Sequence, residues 1–385
     1  MDQISNSYVY EALDSDSREI FTLFPGAGSE QVAGKLIKTS LKDGLSYDTL
    51  SYQWGVTTIT STINLGGDVG FKVTTSLEIA LRNIRRPDRE IIIWIDAICI
   101  NQLDIKERNQ QVAMMRDIYS KAAMVRVWID QEIDINTPAF RAPPALNESS
   151  NPEDLGEDPD VWAPIAKIFH SSYWDRLWIQ QELVFAKDIV VHCYGVTMPA
   201  LSLGAFQWLV GLRNNNSRTG SLVGNTGWAD LSRSIKLAQS PSRHLLWWRK
   251  MLNLKQLVNS ISLVPPQVDG QPVDLNEQLA KSSQPLALPI YLLGAMRNAQ
   301  KLKVTDPLDR VYGMLNLTID SQPGDIDIDY KKSPAEAYTD VARFIVTNTA
   351  TCNSSHIPIF HWEVVNYVLS PYLQKVPQAY SNSFA

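Results

Sequence analysis

Three short polar strings stand at the ends of apolar runs, and they hold the side chains with the most chemistry to offer. YDTLSYQWG (47–55) delivers Ser51, Tyr52 and Trp54 to the end of one run; IIIWIDAICINQ (91–102) delivers Asp96, Asn101 and Gln102. YWDRLWIQQE (173–182) carries Arg176, Trp178 and Glu182 on a helical pattern. The carboxyl ends of buried parallel strands are where ligands usually bind, so Asp96, Asn101 and Gln102 lie where chemistry is expected. Each residue also has a plainer role. Asp96 can cap the turn after its strand. Glu182, as a helical glutamate, can simply pair with Arg176 or Lys187. Trp54, Trp94, Trp128, Trp174 and Trp178 are by type core residues. Arg108 and Arg116 read as helix-surface partners of nearby acids. The Asn101-Gln102 pair, directly after a buried strand, must hydrogen-bond something.

The elements that position these residues follow from the apolar spacing. Residues 91–95 form a short β-branched run of the kind found in strands covered on both faces. From Glu107, the positions Val112, Met115, Ile118, Tyr119 and Ala122 recur at three and four residue steps, which predicts one amphipathic helix. Residues 125–129 return to strand, completing the strand, helix, strand unit of an α/β sheet. Upstream, 19–24 and 31–39 read as strands around the turn Pro25-Gly26-Ala27-Gly28. That turn fails as a phosphate loop, because Ser29 stands where a Gly is needed and Leu36 where a Ser or Thr is needed. A helix over 76–85 leads into the central strand, and another strand covers 189–193. Residues 131–160 hold eight acids and five prolines and read as a solvated loop, disordered in part. Beyond Gly227 the chain reads as mostly helical: Asp306-Pro307 is a helix start, and Ser333 with Glu336 has capping-box spacing.

Composition narrows the function classes. Thirty-five Lys and Arg against 41 Asp and Glu give a net charge of -6, which offers no electrostatic case for nucleic-acid binding. The three cysteines, Cys99, Cys193 and Cys352, lack the spacing of a disulfide framework or zinc module. The acidic N-terminus does not resemble a targeting peptide, and no apolar run reaches the roughly 20 residues of a membrane helix. A soluble cytoplasmic protein is expected. No Ser lies in a G-x-S-x-G elbow, so a hydrolase triad has no support, and His356 and His361 match no metal motif.

YDTLSYQWG, WIDAICINQ (94–102), ERNQQVAMMRDIYSKAAMVRVWI (107–129) and YWDRLWIQQE resemble, in order, the signature blocks of the fungal heterokaryon incompatibility (HET) domain. DPLDRVYGMLNL (306–317) and IDYKKSPAEAY (328–338) resemble segments that commonly follow it. Two departures are visible: Ile129-Asp130 stands where the family usually has Leu-Gly, and the acidic loop that follows is long. The resemblance implies non-self recognition between fungal strains and cell death after incompatible fusion. It also implies an α/β fold similar to TIR domains: a flavodoxin-like central parallel sheet flanked by helices, with a mainly helical C-terminal extension. The expected organisation is N-terminal strands over 1–46, the HET domain over 47–200 and the extension over 201–385.

In TIR domains that cleave NAD, the glutamate of the RLWIQQEL-like segment is the catalytic carboxylate; carried over by motif, it is Glu182. Breaking the nicotinamide–ribose bond passes through an oxocarbenium-like state, which a carboxylate beside the ribose stabilises. Nicotinamide leaves as a neutral molecule from a cationic ring, so one glutamate can suffice. Ser51, Tyr52, Trp54, Asp96, Asn101, Gln102, Arg176 and Trp178 are the expected substrate-binding residues, with aromatic faces for the ring and Arg176 for the diphosphate. No metal or cofactor is required; NAD is the candidate substrate. The competing expectation is a non-catalytic, self-associating adaptor. A shortened regulatory copy is a further alternative, because relatives commonly continue past the IDYKKSPAEAY block. A homo-oligomer and an incompatibility partner protein are expected, with no nucleic acid and no membrane span.

Overall fold

The computed structural model describes residues 8–219 except 15, 57, 59, 68–69, 134–135, 137–145 and 147–149, together with 230, 267–268, 271–272, and 292–351 except 301 and 319–320. The chain divides into two compact units, Met1–Ser242 and Arg243–Ala385.

The first unit is built on a nine-stranded mixed sheet in the order β5-β4-β2-β1-β6-β3-β7-β8-β9. The strands are β1 (Ser17–Leu23), β2 (Ala33–Ser40), β3 (Asp48–Tyr52), β4 (Thr60–Leu65), β5 (Gly70–Thr74), β6 (Ile91–Trp94), β7 (Met124–Trp128), β8 (Ile189–Cys193) and β9 (Val196–Pro199). The expectation of a parallel sheet holds in the block where β6, β3, β7 and β8 run parallel, and again where β2 meets β4. Antiparallel strands flank that block: β1 beside β6 and β9 beside β8. The β4–β5 hairpin and β9 are absent from the sequence reading. They are short and partly polar, like the turns around them.

Strand β3 sits inside the parallel block, between β6 and β7, because its residues can be buried on both faces. Leu50, Ser51 and Tyr52 are all nearly inaccessible. Alternation places Tyr47, Thr49 and Ser51 on one face. There Tyr47 Oη donates to the Ile118 carbonyl at 2.7 Å. The chain leaves β3 through Trp54-Gly55, where Gly55 adopts φ 73°, which favours glycine. A side chain there would also press to 3.1 Å on Ser76, which heads helix α1 (Thr75–Ile84) and donates to the Gln53 carbonyl at 2.9 Å.

Between β6 and β7 come α2 (Asp96–Cys99), α3 (Ile105–Ala113) and α4 (Met115–Lys121). The single helix expected from Glu107 onward is therefore two. Met114 breaks it at φ -88°, ψ -2°, and Asp104 caps the first piece through Lys106 N and Glu107 N. The break leaves α4 with its own direction, and Tyr119 on it reaches the Leu50 carbonyl of β3 at 3.4 Å. Between β7 and β8 come α5 (Ala163–Phe169), a 3₁₀ turn (Ser172–Asp175) and α6 (Ile179–Val184), which packs on α4. α7 (Ala200–Thr219) follows β9.

The glycine turn after β1 joins two antiparallel strands. Its carbonyls point at cations, the reverse of a phosphate loop: Arg85 donates to Ala27 and Gly28, and Arg82 to Gly28 and Glu30. The described part of the acidic segment is more ordered than a solvated loop. Two 3₁₀ turns, Pro152–Leu155 and Pro159–Trp162, bury Leu155 and Trp162, whose indole donates to the Leu155 carbonyl at 2.6 Å.

The second unit has α8 (Leu292–Ala299), α9 (Asp309–Leu315) and α10 (Pro334–Thr351), consistent with a mainly helical reading of its described part. The expected capping box forms: Ser333 N donates to Glu336 Oε2 at 2.8 Å and Glu336 N to Ser333 Oγ at 3.3 Å. Cys352, His356 and His361 lie outside the described residues.

Candidate functional site

Burial and hydrogen bonding converge at the carboxyl end of β3. Glu182, on α6, is 2% exposed, and Ser51 Oγ donates a short hydrogen bond to its Oε2. The same Ser51 oxygen lies 2.6 Å from Tyr173 Oη, giving a buried chain of phenol, hydroxyl and carboxyl. Local structure explains the placement. Ser51 faces α4 and α6 by strand alternation. Gln181 N and Glu182 N both donate to the Trp178 carbonyl, which closes the first turn of α6, and the Ser51 bond joins that turn to the strand.

Charge surrounds this chain. Arg176 Nη1 donates to the Tyr52 carbonyl, and its charge is set against Glu182 and Asp96. Burial opposes the guanidinium's charge, but the two carboxyls together hold it firmly protonated. Burial pushes the Glu182 carboxyl up to about 7, with Arg176 and Ser51 pulling it down and Asp96 adding to the rise. Asp96 is likewise raised by burial against the same arginine. Burial thus brings the Glu182 carboxyl closer to neutral pH than an ordinary glutamate, as suits a group that exchanges a proton.

The remaining expected residues divide. Trp54 and Asp96 come together, indole Nε1 donating to Oδ2 at 2.9 Å, while Asp96 Oδ1 accepts from Ala97 N at 2.8 Å at the start of α2. Asp96 therefore serves both the turn and the cluster. Asn101 and Gln102 are engaged in holding their loop: Asn101 Oδ1 accepts from Leu103 N, Asn101 N donates to Glu107, and Gln102 Nε2 donates to the Asp96 carbonyl at 2.9 Å. Trp178 heads α6 half-buried, whereas Trp94 and Trp128 are core. Tyr52 is fully buried, and its hydroxyl has no hydrogen-bond partner.

Of the two cations expected beside Glu182 the structure favours one, and Arg116 differs from its expected acidic partner. Lys187 reaches the Lys121 carbonyl at 3.2 Å, so the cation set against Glu182 is Arg176. Arg116 lies over the Phe185 ring at 5.4 Å. Tyr173 and Gln53 were not singled out from sequence, although both lie inside the quoted blocks. Their only signal was being polar beside apolar neighbours.

Away from this cluster some buried polar atoms lack hydrogen-bond partners, among them Glu19 Oε2, Thr49 Oγ1 and the Trp94 and Trp128 indole nitrogens. An open groove of about 670 Å³ in the second unit is lined by Asp325, Asp327, Lys332, Glu336, Asp340 and Arg343. Its cations pair with Asp340, at 2.8 Å from Lys332 and 2.9 Å from Arg343. Among the described residues, no group of three or more His, Cys, Asp or Glu is placed to hold a metal ion. Among them too, no helix is long and apolar enough to cross a membrane.

The stretch that builds this cluster, residues 47–182, matches the family model of the heterokaryon incompatibility protein (HET). The chain carries a HET domain. Its matched region opens at Tyr47, which enters β3, and closes at Glu182. Heterokaryon incompatibility protein 6, OR allele, of Neurospora crassa is 41% identical over 101 residues. That similarity covers 23% of this chain and 15% of the relative's length. No solved structure matches the chain. Within the HET domain, the strand-end residues of β3 and the first turn of α6 are the polar centre.

Proposed function

We propose that this HET-domain protein acts in fungal non-self recognition and incompatibility-linked cell death, and does so by hydrolysing NAD at Glu182. The observation that carries the reading is the Glu182 carboxyl itself, buried at the end of the central strand and bonded to Ser51. The HET match and the relative named for heterokaryon incompatibility support the biological half. The parallel strand order β6-β3-β7-β8 supports a TIR-like, flavodoxin-like reading of the sheet centre. In that order the chain passes from β3 to β6 on one side and then from β6 to β7 on the other, and ligands bind at such a switch point.

In this mechanism the ionised Glu182 hydrogen-bonds the ribose of NAD and stabilises the oxocarbenium-like state as neutral nicotinamide departs. Water then adds at the anomeric carbon and loses its proton to the carboxylate. Ser51 and Tyr173 orient the carboxyl, Arg176 offsets the diphosphate charge, and Trp54 and Trp178 offer ring faces to the nicotinamide or adenine. Cytoplasmic action as a homo-oligomer, with an incompatibility partner protein as trigger, belongs to the same proposal.

The test is nicotinamide release from NAD by the purified chain fused to an oligomerisation tag, beside Glu182→Gln. Release by the parent alone supports the reading; no release from either moves the assignment to the adaptor. One observation favours that second reading: Glu182, Ser51 and Tyr173 are each no more than 2% exposed, so the carboxyl is covered as it stands.

A further inference from the structure

Part of the enclosure around Glu182 is a short segment with a particular set of attachments, beside the packing of α4 on α6. Residues 171–176 contain a 3₁₀ turn, Ser172–Asp175, between α5 and α6. Three of its side chains bind three consecutive residues at the end of β3. Tyr173 Oη meets Ser51 Oγ at 2.6 Å, Arg176 Nη1 donates to the Tyr52 carbonyl, and Ser172 Oγ donates to Gln53 Oε1 at 2.7 Å. Two bonds tie the segment back to α5, both to the Ile168 carbonyl: the Trp174 indole donates at 2.8 Å and Ser171 N at 3.2 Å.

We propose that this segment is a strap that closes over the Glu182 carboxyl and must lift from the end of β3 before a ligand can reach it. The attachments run from wet to dry. Ser172 is exposed, so water competes for its bond to Gln53, whereas the Tyr173–Ser51 bond is buried. Opening therefore starts at the Ser172–Gln53 latch, with the buried Trp174 end as the hinge. Short 3₁₀ stretches often serve as such hinges. The Tyr52 hydroxyl, on the residue whose carbonyl Arg176 holds, is buried without a partner in the field of Asp96, Arg176 and Glu182. A buried polar group left unsatisfied is uncommon in a finished interior. An entering polar ligand gives it the hydrogen bond it lacks.

The inference rests on the reading of Glu182 as the functional carboxyl, but its test does not need activity. The probe is a water-soluble carbodiimide with an amine tag, followed by trypsin and mass spectrometry. Cleavage after Arg176 and Lys187 gives a peptide, 177–187, in which Glu182 is the one side-chain carboxyl. Glu19, 2% exposed, is the control within the same molecule. Removing the latch with Gln53→Ala and Ser172→Ala should raise the labelling rate of Glu182 by about three- to tenfold, the worth of one exposed hydrogen bond, and leave Glu19 unchanged. Tyr173→Phe, which cuts the inner bond, should act in the same direction. An equal rise at both glutamates means general loosening, and no rise at Glu182 means no strap; either overturns the proposal. Selective labelling without nicotinamide release from any sample keeps the strap and removes the NAD reading.

Discussion

Glu19 and Glu182 are equally buried, each 2% exposed, and burial pushes each carboxyl up to about 7. Their company differs. Glu19 lies on β1, between antiparallel neighbours; its Oε2 has no hydrogen-bond partner, a backbone hydrogen bond from Glu11 opposes the rise, and like charges from Glu107 and Glu11 add to it. Lys38, which opposes that rise, pairs with Asp14 at 3.2 Å and donates to the Ala12 carbonyl. Glu182 has Arg176 set against it and an ordered hydroxyl chain to hold its orientation. A raised carboxyl is thus no mark of a site by itself. What distinguishes Glu182 is that the groups around it fix both its position and its charge.

The largest effect should come from removing the cation. Arg176→Leu leaves Glu182 and Asp96 buried together without their opposing charge, and should cost about 3 kcal/mol of stability at pH 8, read by urea denaturation. The loss should shrink in acid, where both carboxyls are protonated, and an undiminished loss at pH 4 would assign Arg176 a packing role instead.

Next come the carboxyls themselves. A folded carboxyl near 7 against an ordinary 4.5 means that the native state holds the proton more tightly. That contribution is fully present below about 4.5 and is lost as pH rises through about 7. Glu182→Gln and Glu19→Gln should each therefore gain on the parent by about 3 kcal/mol between pH 4 and pH 8. The charges acting on the two differ, so the double variant should show the sum. Non-additivity would break the comparison by showing one coupled cluster.

Smaller again is Ser51→Ala, which removes the donor to Glu182 and should cost about 1–3 kcal/mol above pH 7, with Glu19 unaffected in a carboxyl NMR titration. Lys38→Met should cost less than about 0.5 kcal/mol, as expected of an exposed pair.

The sheet centre and helix α1 could be read from apolar runs and helical spacing, because both faces of 91–95 are buried and periodicity records burial. Met114 could not: a break at one residue leaves the three and four residue spacing of 112–122 nearly intact. β4, β5 and β9 were missed because a short hairpin strand carries little apolar signal of its own. At the site, motif position pointed to Glu182, Ser51 and Asp96, but their arrangement depends on long-range contacts. Ser51 and Glu182 stand 131 residues apart, and nothing local to either encodes the bond between them. Asn101 and Gln102 looked like ligand groups because a polar pair after a strand must bond something; the loop itself supplies the partners.

The most direct measurement is nicotinamide release from NAD by the oligomerised parent, Glu182→Gln and Glu19→Gln, prepared together and each shown to be folded. The account predicts release by the parent and by Glu19→Gln, and loss of about a hundredfold or more in Glu182→Gln, the scale of removing a group that stabilises transition-state charge. Equal release by all three, or loss with Glu19→Gln as great as with Glu182→Gln, would contradict it.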